Sequence, residues 1–148
     1  MSVRKLWGGL LLLSLMVSVG CAAKPSPGSS LLKMTKAFSE RMRWADFDVA
    51  SAYVVEEERE AFLANWKVGK DLHVVETRVD RIKMIDEETA EVAMTVDYYL
   101  LPSATVKQVE SQQEWHYNPG QRFQFGSWEL VSGVPMLPDR PHLPQKDE

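Results

Sequence analysis

Cysteine is nearly absent from this sequence, which has only Cys21 among its 148 residues. A single cysteine excludes an internal disulfide framework and any zinc site built from cysteine ligands. The three histidines, His73, His116 and His142, are scattered and lack the spacing of metal ligands. A glycine-rich phosphate loop and a nucleophile elbow are missing as well. We therefore predict neither a metal nor a cofactor for this chain.

The sequence also has fewer basic than acidic residues. Lysine and arginine number 17 against 21 acidic residues, which gives a net charge of -4 and a pI near 5.4. A nucleic-acid binder needs a basic face, so we predict no nucleic-acid partner. Apolar residues make up 45% and charged residues 26% of the chain, which is the balance of a globular protein. The length fits one domain with a short extension.

The N-terminal residues have the composition of a secretory signal. Arg4 and Lys5 precede an uncharged, leucine-rich run, and this order is typical of a signal peptide, which we assign to residues 1–20. Two other interpretations stay open. The uncharged stretch 6–23 has 18 residues, close to the about 20 of a spanning helix, so it could be an uncleaved anchor. Alternatively, an ordinary signal peptidase would cleave after Ala23.

The end of the apolar run resembles a known processing motif. Residues 18–21 read Ser-Val-Gly-Cys, which resembles the lipobox of bacterial lipoproteins, with Ser18 where leucine is usual. The resemblance implies that the Cys21 sulfur carries a diacylglycerol and that cleavage leaves this cysteine at the N terminus. Because Ala22 rather than aspartate follows, it also implies an outer-membrane lipoprotein that faces the periplasm.

A flexible tether is predicted after the signal. Residues 22–30 include two prolines, one glycine and three serines, a composition that cannot bury a core. We therefore assign residues 21–30 to a lipidated tether that holds a domain near the membrane through the acyl chains. Loss of the signal peptide removes two basic residues and no acid, so the net charge becomes -6.

Helical periodicity begins after the tether. Apolar side chains recur every third or fourth residue from Leu31 to Ala45. Asp46 interrupts this pattern and is expected to cap a short second helix. A third helix is predicted from the acidic run 56–58, whose charge suits the positive end of the helix dipole. It should end before Gly69, a residue type common just past a helix.

From Leu72 the apolar period changes to two, which is typical of half-buried strands. The apolar parity reverses within the first strand, so we predict a β-bulge near Asp80. Three helices followed by strands predict an α+β fold, in which three N-terminal helices pack on a bent, cone-like, four-strand antiparallel sheet. The predicted strands are 72–85, 90–100, 105–117 and 121–131, the last interrupted at Gly126.

This order of elements resembles nuclear transport factor 2-like (ketosteroid isomerase-like) domains. Residues 44–50 resemble the short second helix of that family, and residues 114–117 with 126–131 resemble its last two strands. The resemblance covers residues 31–132. A small strand or hairpin that the family has between the second and third helices is not evident in this sequence, unless residues 52–55 supply it.

The resemblance implies where a ligand would bind. Domains of this family often hold a ligand between the concave sheet face and the helices, and enzymes among them place an aspartate or histidine there beside a tyrosine or tryptophan. We assign no catalytic residue. The implied binding residues, on the cone or a sheet face, are His73, Tyr98, Gln113, Trp115 and Trp128.

Strand parity refines these expectations. His73 has the parity of Val75 and Val79, which predicts that it enters the end of the cone. Asp97 has the parity of Glu91 and Thr95, which predicts that it points outward. The four tryptophans outside the signal are expected in the core or lining the cone, because the acidic balance disfavours a platform for stacking bases. They are Trp44, Trp66, Trp115 and Trp128.

The third strand is unusually polar on both sides. The side that carries Gln108 and His116 is almost wholly polar and is expected to be solvated. The opposite side contains Ser111 and Gln113 among apolar residues, which is too polar for a dry core. Three interpretations stay open for that side: it lines a wet pocket, it meets a partner, or it belongs to a partly exposed strand.

The C-terminal segment 133–148 has a proline at every third position, from Pro135 to Pro144. A polyproline II helix has about three residues per turn, so these rings would line one edge. This edge could dock into an aromatic groove of a partner. A stiff tail in solvent, or one that lies on its own domain, is the alternative.

These patterns together predict a non-catalytic envelope lipoprotein whose small α+β domain binds a partner protein or a small ligand. The membrane is the expected partner of Cys21. The alternative is an enzyme of the ketosteroid isomerase-like or dehydratase type, which would use the cone as its active site with His73, Tyr98 or Asp97 as the acid–base group.

Overall fold

Three helices precede a four-stranded antiparallel sheet in the described residues, 26–67, 69–120 and 126–138, of the computed structural model. The strands are ordered β1-β2-β3-β4, so the α+β arrangement predicted from the sequence is confirmed. Among these residues, no helix is long and apolar enough to cross a membrane. The predicted signal peptide and Cys21 lie outside the described residues. The elements are α1 (Pro27–Arg43), α2 (Phe47–Ser51), α3 (Glu56–Trp66), β1 (Leu72–Met84), β2 (Thr89–Leu100), β3 (Lys107–Asn118) and β4 (Ser127–Ser132).

Helix α1 begins inside the segment predicted to be a tether. It starts at Pro27, because the fixed φ of proline and its missing N–H suit the first turn of a helix. The buried stripe contains Leu31, Phe38 and Met42, as the periodicity predicts. Ala45, which was predicted to continue that stripe, is exposed and has a φ of 54°. The prediction for Ala45 is wrong because the chain turns directly after the helix.

Helix α2 begins after Asp46, the residue predicted to cap it. The Asp46 carboxylate makes no capping hydrogen bond to the helix. It accepts a hydrogen bond from the Arg41 guanidinium at 3.2 Å instead. The predicted start of the helix is therefore right, but the predicted role of the side chain is wrong, since the nearby cation competes for the carboxylate.

Aromatic rings join the helices to the sheet. Phe38 on α1 is fully buried, and its ring centroid lies 6.1 Å from that of Tyr53, 6.3 Å from that of Phe62 and 5.9 Å from that of Trp115. Such edge-on and tilted pairs stabilise a core beyond the burial of their area. One ring of α1 therefore contacts the segment after α2, helix α3 and strand β3 together.

Three of the four tryptophans predicted in the core are there. Trp66, Trp115 and Trp128 are completely buried, whereas Trp44 is 77% exposed. The prediction for Trp44 is wrong because this residue follows the last turn of α1, where no described element covers its ring.

Strand β1 contains two irregularities. Its register with β2 shifts between Val74 and Glu76 and again between Val79 and Arg81. The second shift is the bulge predicted near Asp80, and the first is not visible in the apolar pattern. Each extra residue moves the following side chains to the other face and bends the strand.

The free edge of β4 is covered by the segment between α2 and α3. The Leu130 N–H donates to the Tyr53 carbonyl at 2.8 Å, and the Val55 N–H donates to the Leu130 carbonyl at 2.9 Å. Val54 and Leu130 form an isolated parallel bridge. This contact is a single bridge and not a full strand.

The segment after β4 lies on the domain. Pro135 and Leu137 are buried. The Trp66 indole N–H donates to the Pro135 carbonyl at 2.7 Å, and the Asn65 carboxamide accepts from the Leu137 N–H at 2.7 Å. The packed domain thus extends past residue 132, the boundary predicted for the start of the tail, whereas residues 139–148 lie outside the described residues.

Candidate functional site

The inner side of β3 carries polar side chains that are buried. Gln113 is 1% exposed, and Ser111 is buried beside it. The Trp115 indole N–H donates to Gln113 Oε1 at 2.9 Å, and Gln113 Nε2 donates to Ser111 Oγ at 3.2 Å. Nε2 also lies 3.4 Å from the sulfur of Met94. Both ends of the Gln113 carboxamide are therefore occupied, as a buried amide requires.

This hydrogen-bonded chain explains the polarity that the sequence shows on the inner side of β3. The Ser111 hydroxyl continues the chain by donating to the Met94 carbonyl on β2 at 3.4 Å. Because each polar group has a partner within the core, none needs water or a ligand. Ser111 and Met94 were not among the predicted site residues, although both share the inner-face parity of their strands.

The other inner-face candidates are also part of the packing. Tyr98 is completely buried, and its ring centroid lies 6.4 Å from that of Trp66 in an edge-on arrangement. The Trp128 indole N–H donates to the Pro27 carbonyl and to Ser30 Oγ, both at 3.0 Å. Trp128 therefore ties the first turn of α1 to β4.

His73 lies on the outer face of the sheet. It pairs with Tyr99 across β1 and β2, and the two rings stack with centroids 4.8 Å apart at 11°. The prediction that it enters the cone is wrong, because the irregularity at Val74/Glu76 reverses the parity between His73 and Val79. Its Nε2 atom is buried without a hydrogen-bond partner among the described residues.

Asp97 points outward, as predicted, and is held in a cross-strand ion pair. Its Oδ2 accepts from the Arg78 guanidinium at 2.7 Å, and its Oδ1 accepts from the Gln108 amide at 2.9 Å. Arg78 also donates to Glu76 at 3.0 Å. The pKa of Asp97 is lowered mainly by the hydrogen bond from Arg78 and, to a smaller extent, by the hydrogen bond from Gln108. An ionised carboxylate with both oxygens occupied is poorly suited to accept or deliver a proton in catalysis.

The three acid–base candidates are thus not assembled into one site. Tyr98 is buried on the inner face, while His73 and Asp97 lie on the outer face, on different strands and in different rows. Gln113 and Trp115 are brought together, but their polar atoms satisfy each other. Within the described part of the chain, no group of three or more histidine, cysteine, aspartate or glutamate side chains is placed to hold a metal ion.

A surface recess lies beside α3, away from all of these candidates. Its volume is about 600 Å³. None of the predicted site residues borders it. Its lining consists of Glu56, Arg59, Glu60, Leu63, Ala64 and Lys67.

The outer side of β3 and β4 forms a polar surface. The side chains of β3 alternate between buried and exposed, and the exposed set has the parity that the sequence predicts to be solvated. Glu129 on β4 pairs with His116 and joins the same side. The His116 ring lies 2.6 Å from a Glu114 oxygen. We call this the β3–β4 outer surface; it consists of Gln108, Glu110, Gln112, Glu114, His116 and Glu129.

Comparisons with known proteins add no relative. The chain matches no protein-family model, and no curated protein or solved structure is significantly similar to it.

Proposed function

We propose that this chain is an envelope lipoprotein, anchored in the outer membrane through Cys21, whose nuclear transport factor 2-like domain binds a partner protein without catalysis. The observation that carries the proposal is the contrast between the two faces of the sheet. On the inner face, the polar atoms of Trp115, Gln113 and Ser111 are bonded to one another, whereas the β3–β4 outer surface presents polar and charged side chains, such as Glu110 and Gln112, to solvent. The partner would bind that outer surface.

The inner face argues against a small ligand in the cone. Tyr98, Trp115 and Trp128 are completely buried, and Gln113 is nearly so. A small-molecule site normally has a concave space with a few polar groups directed into it. Here the Gln113 carboxamide is hydrogen-bonded to Trp115 and Ser111, and the Trp128 indole N–H is bonded to Pro27 and Ser30.

The charges of the β3–β4 outer surface favour a basic partner. This surface has three carboxylates, from Glu110, Glu114 and Glu129. It also contains His116, whose ring lies against Glu114. Complementary charge steers association and selects among partners more than it adds raw affinity. A partner with lysine or arginine side chains on its contact face therefore fits this surface.

Site-specific photo-crosslinking in intact cells tests the binding surface. A photoreactive residue in place of the exposed Gln112 should form one discrete adduct with another protein. The matched control is Glu57, which is exposed on α3 away from the sheet, and no adduct is expected there. Charge reversal by Glu110→Lys should weaken the Gln112 adduct. Equal adducts at both positions, or none at Gln112, would contradict the proposal.

Replacement of Cys21 by serine tests the anchor. We expect the Cys21→Ser protein to lose its membrane attachment and appear in the soluble periplasmic fraction, because acyl chains contribute about 0.8 kcal/mol for each buried CH₂ group. Mass spectrometry of the unsubstituted protein should find an acylated Cys21 at the N terminus. An unmodified N terminus at Met1 or Lys24 would refute the lipoprotein assignment.

A further inference from the structure

The solvent-facing side of α1 differs in charge from the rest of the protein. It has three cations and one acid, whereas the whole chain has a net charge of -4. All of these side chains are exposed, and large apolar groups stand at both ends of the row. We call this the α1 outer face; it consists of Leu32, Lys33, Lys36, Glu40, Arg43 and Trp44.

Helix geometry places these residues along one stripe. Each of these residues lies three or four positions from another member of the set, so the residues from Leu32 to Arg43 lie on one side of a helix that is roughly 25 Å long, and Trp44 directly follows the helix. Leu32 is 58% exposed at one end, and Trp44 is 77% exposed at the other. The Arg43 guanidinium lies 6.0 Å from the centre of the Trp44 ring. Arg41 is excluded from the stripe because its side chain pairs with Asp46.

The early start of α1 keeps this face close to the predicted anchor. Pro27, the first residue of the helix, is only six residues after Cys21. Six residues span at most about 20 Å even when fully extended. If Cys21 carries lipid, as proposed above, the first turn of α1 therefore stays within that distance of the bilayer surface.

We infer that the α1 outer face docks on anionic phospholipid headgroups and so sets the orientation of the domain on the membrane; this inference rests on the proposed lipid anchor. Lysine and arginine side chains are attracted to an anionic bilayer surface. Tryptophan is enriched where a membrane meets water, since its ring is apolar and its N–H needs a polar partner. The apolar stripe of α1 packs in the core, so in the docked state the cations would meet the headgroups while the exposed Leu32 and Trp44 side chains at the two ends contact the interfacial region.

Docking would also orient the proposed protein-binding surface. The α1 outer face contacts the membrane, whereas the β3–β4 outer surface belongs to the side of the sheet opposite the helices. The domain would then present that surface away from the lipid. The net two positive charges of the α1 outer face are expected to favour the docked state over the undocked state by roughly 30-fold on an anionic surface.

Trp44 provides the measurement. The protein as processed in cells, purified from the envelope, is reconstituted into vesicles of phosphatidylcholine alone or of phosphatidylcholine with phosphatidylglycerol, with brominated phosphatidylcholine in both. The other tryptophans of the described residues are buried, so quenching of fluorescence by brominated lipid should report on Trp44. We expect strong quenching in the anionic vesicles, weak quenching in the neutral ones, and loss of the difference in Trp44→Phe.

Charge variants distinguish the effect of the α1 outer face from the effect of the protein's net charge. The triple variant Lys33→Glu, Lys36→Glu, Arg43→Glu should lose the quenching in anionic vesicles. The matched control changes the net charge equally at three exposed positions elsewhere, through Lys70→Glu, Arg81→Glu and Lys83→Glu, and should keep it. Equal quenching in neutral and anionic vesicles, or equal loss in both triple variants, would overturn the inference.

Flotation of the same vesicles distinguishes the two proposals. A protein that floats with neutral vesicles but shows no quenching in anionic ones retains its anchor and refutes docking by α1. A protein that fails to float with neutral vesicles but binds and is quenched in anionic ones refutes the anchor and supports the α1 outer face. Failure in both kinds of vesicle overturns both proposals.

Discussion

Replacing Trp66 by alanine is expected to lower the free energy of unfolding by about 3–5 kcal/mol. The Trp66 ring is completely buried, with its centroid 5.4 Å from that of Phe47 and 6.4 Å from that of Tyr98. Its indole N–H also holds the C-terminal segment through the Pro135 carbonyl. The substitution would therefore leave a cavity between α2, α3 and β2 and release the segment that covers it. Equilibrium urea unfolding measures the loss.

Two further variants separate the contributions of Trp66. Trp66→Phe keeps an aromatic ring but removes the donor to the buried Pro135 carbonyl, and should cost about 1–3 kcal/mol. Trp44→Ala removes the same side chain from an exposed position, and should change stability by no more than about 0.5 kcal/mol. A Trp66→Ala protein as stable as Trp44→Ala would contradict the packing described here.

Replacing Gly133 by alanine is expected to destabilise the fold by at least about 2 kcal/mol. Gly133 has a φ of +70°, and an added Cβ would collide with the backbone carbonyl of Gln112. A backbone obstacle cannot move aside as a flexible side chain can. The strain would act where the chain leaves β4 and turns towards Trp66, so both β3 and the C-terminal segment would shift. Urea unfolding again provides the measurement.

Two other glycines separate conformational strain from collision. Gly69 has a φ of +94° with open space around its Cβ position, so Gly69→Ala should cost only about 1–2 kcal/mol. Gly28 lies in the first turn of α1 in open space, and Gly28→Ala should be neutral or stabilising by up to about 1 kcal/mol. If Gly133→Ala and Gly69→Ala lowered the free energy of unfolding equally, the Gln112 carbonyl would have to move aside, which would contradict the prediction.

Most of the element order follows from local patterns in the sequence. The period of three to four places Leu31, Phe38 and Met42 on one side of α1, and the period of two places Val92 and Trp115 on the inner side of the sheet. These patterns are reliable because burial of alternate or helically spaced apolar residues stabilises one secondary structure over another. The bulge near Asp80 was predictable for the same reason, since apolar side chains on both sides of it reverse parity.

The candidate site was less predictable, because the sequence does not show which neighbours, on the same strand or on another, satisfy its polar residues. For the inner side of β3 the sequence left open a wet pocket, a surface that meets a partner, and a partly exposed strand, yet Gln113 is buried and is satisfied by Trp115 and Ser111 on its own strand and by Met94 on β2. Polarity in a sequence does not show whether its partner will be water, a ligand or another side chain. The three-dimensional pairing supplies that information.

The sequence by itself determined the class of the fold, the single cysteine within a lipobox-like motif, and the solvated side of β3. Composition and periodicity suffice for these features, because they depend on residues close together along the chain. The tertiary structure decided that His73 lies on the outer face, that Trp44 is exposed, and that Pro135 is held by Trp66. The extra residue in β1 moves His73 to the outer face, the end of α1 leaves Trp44 uncovered, and Pro135 is held by a residue 69 positions away. Local sequence patterns do not show which part of the chain will cover a given side chain.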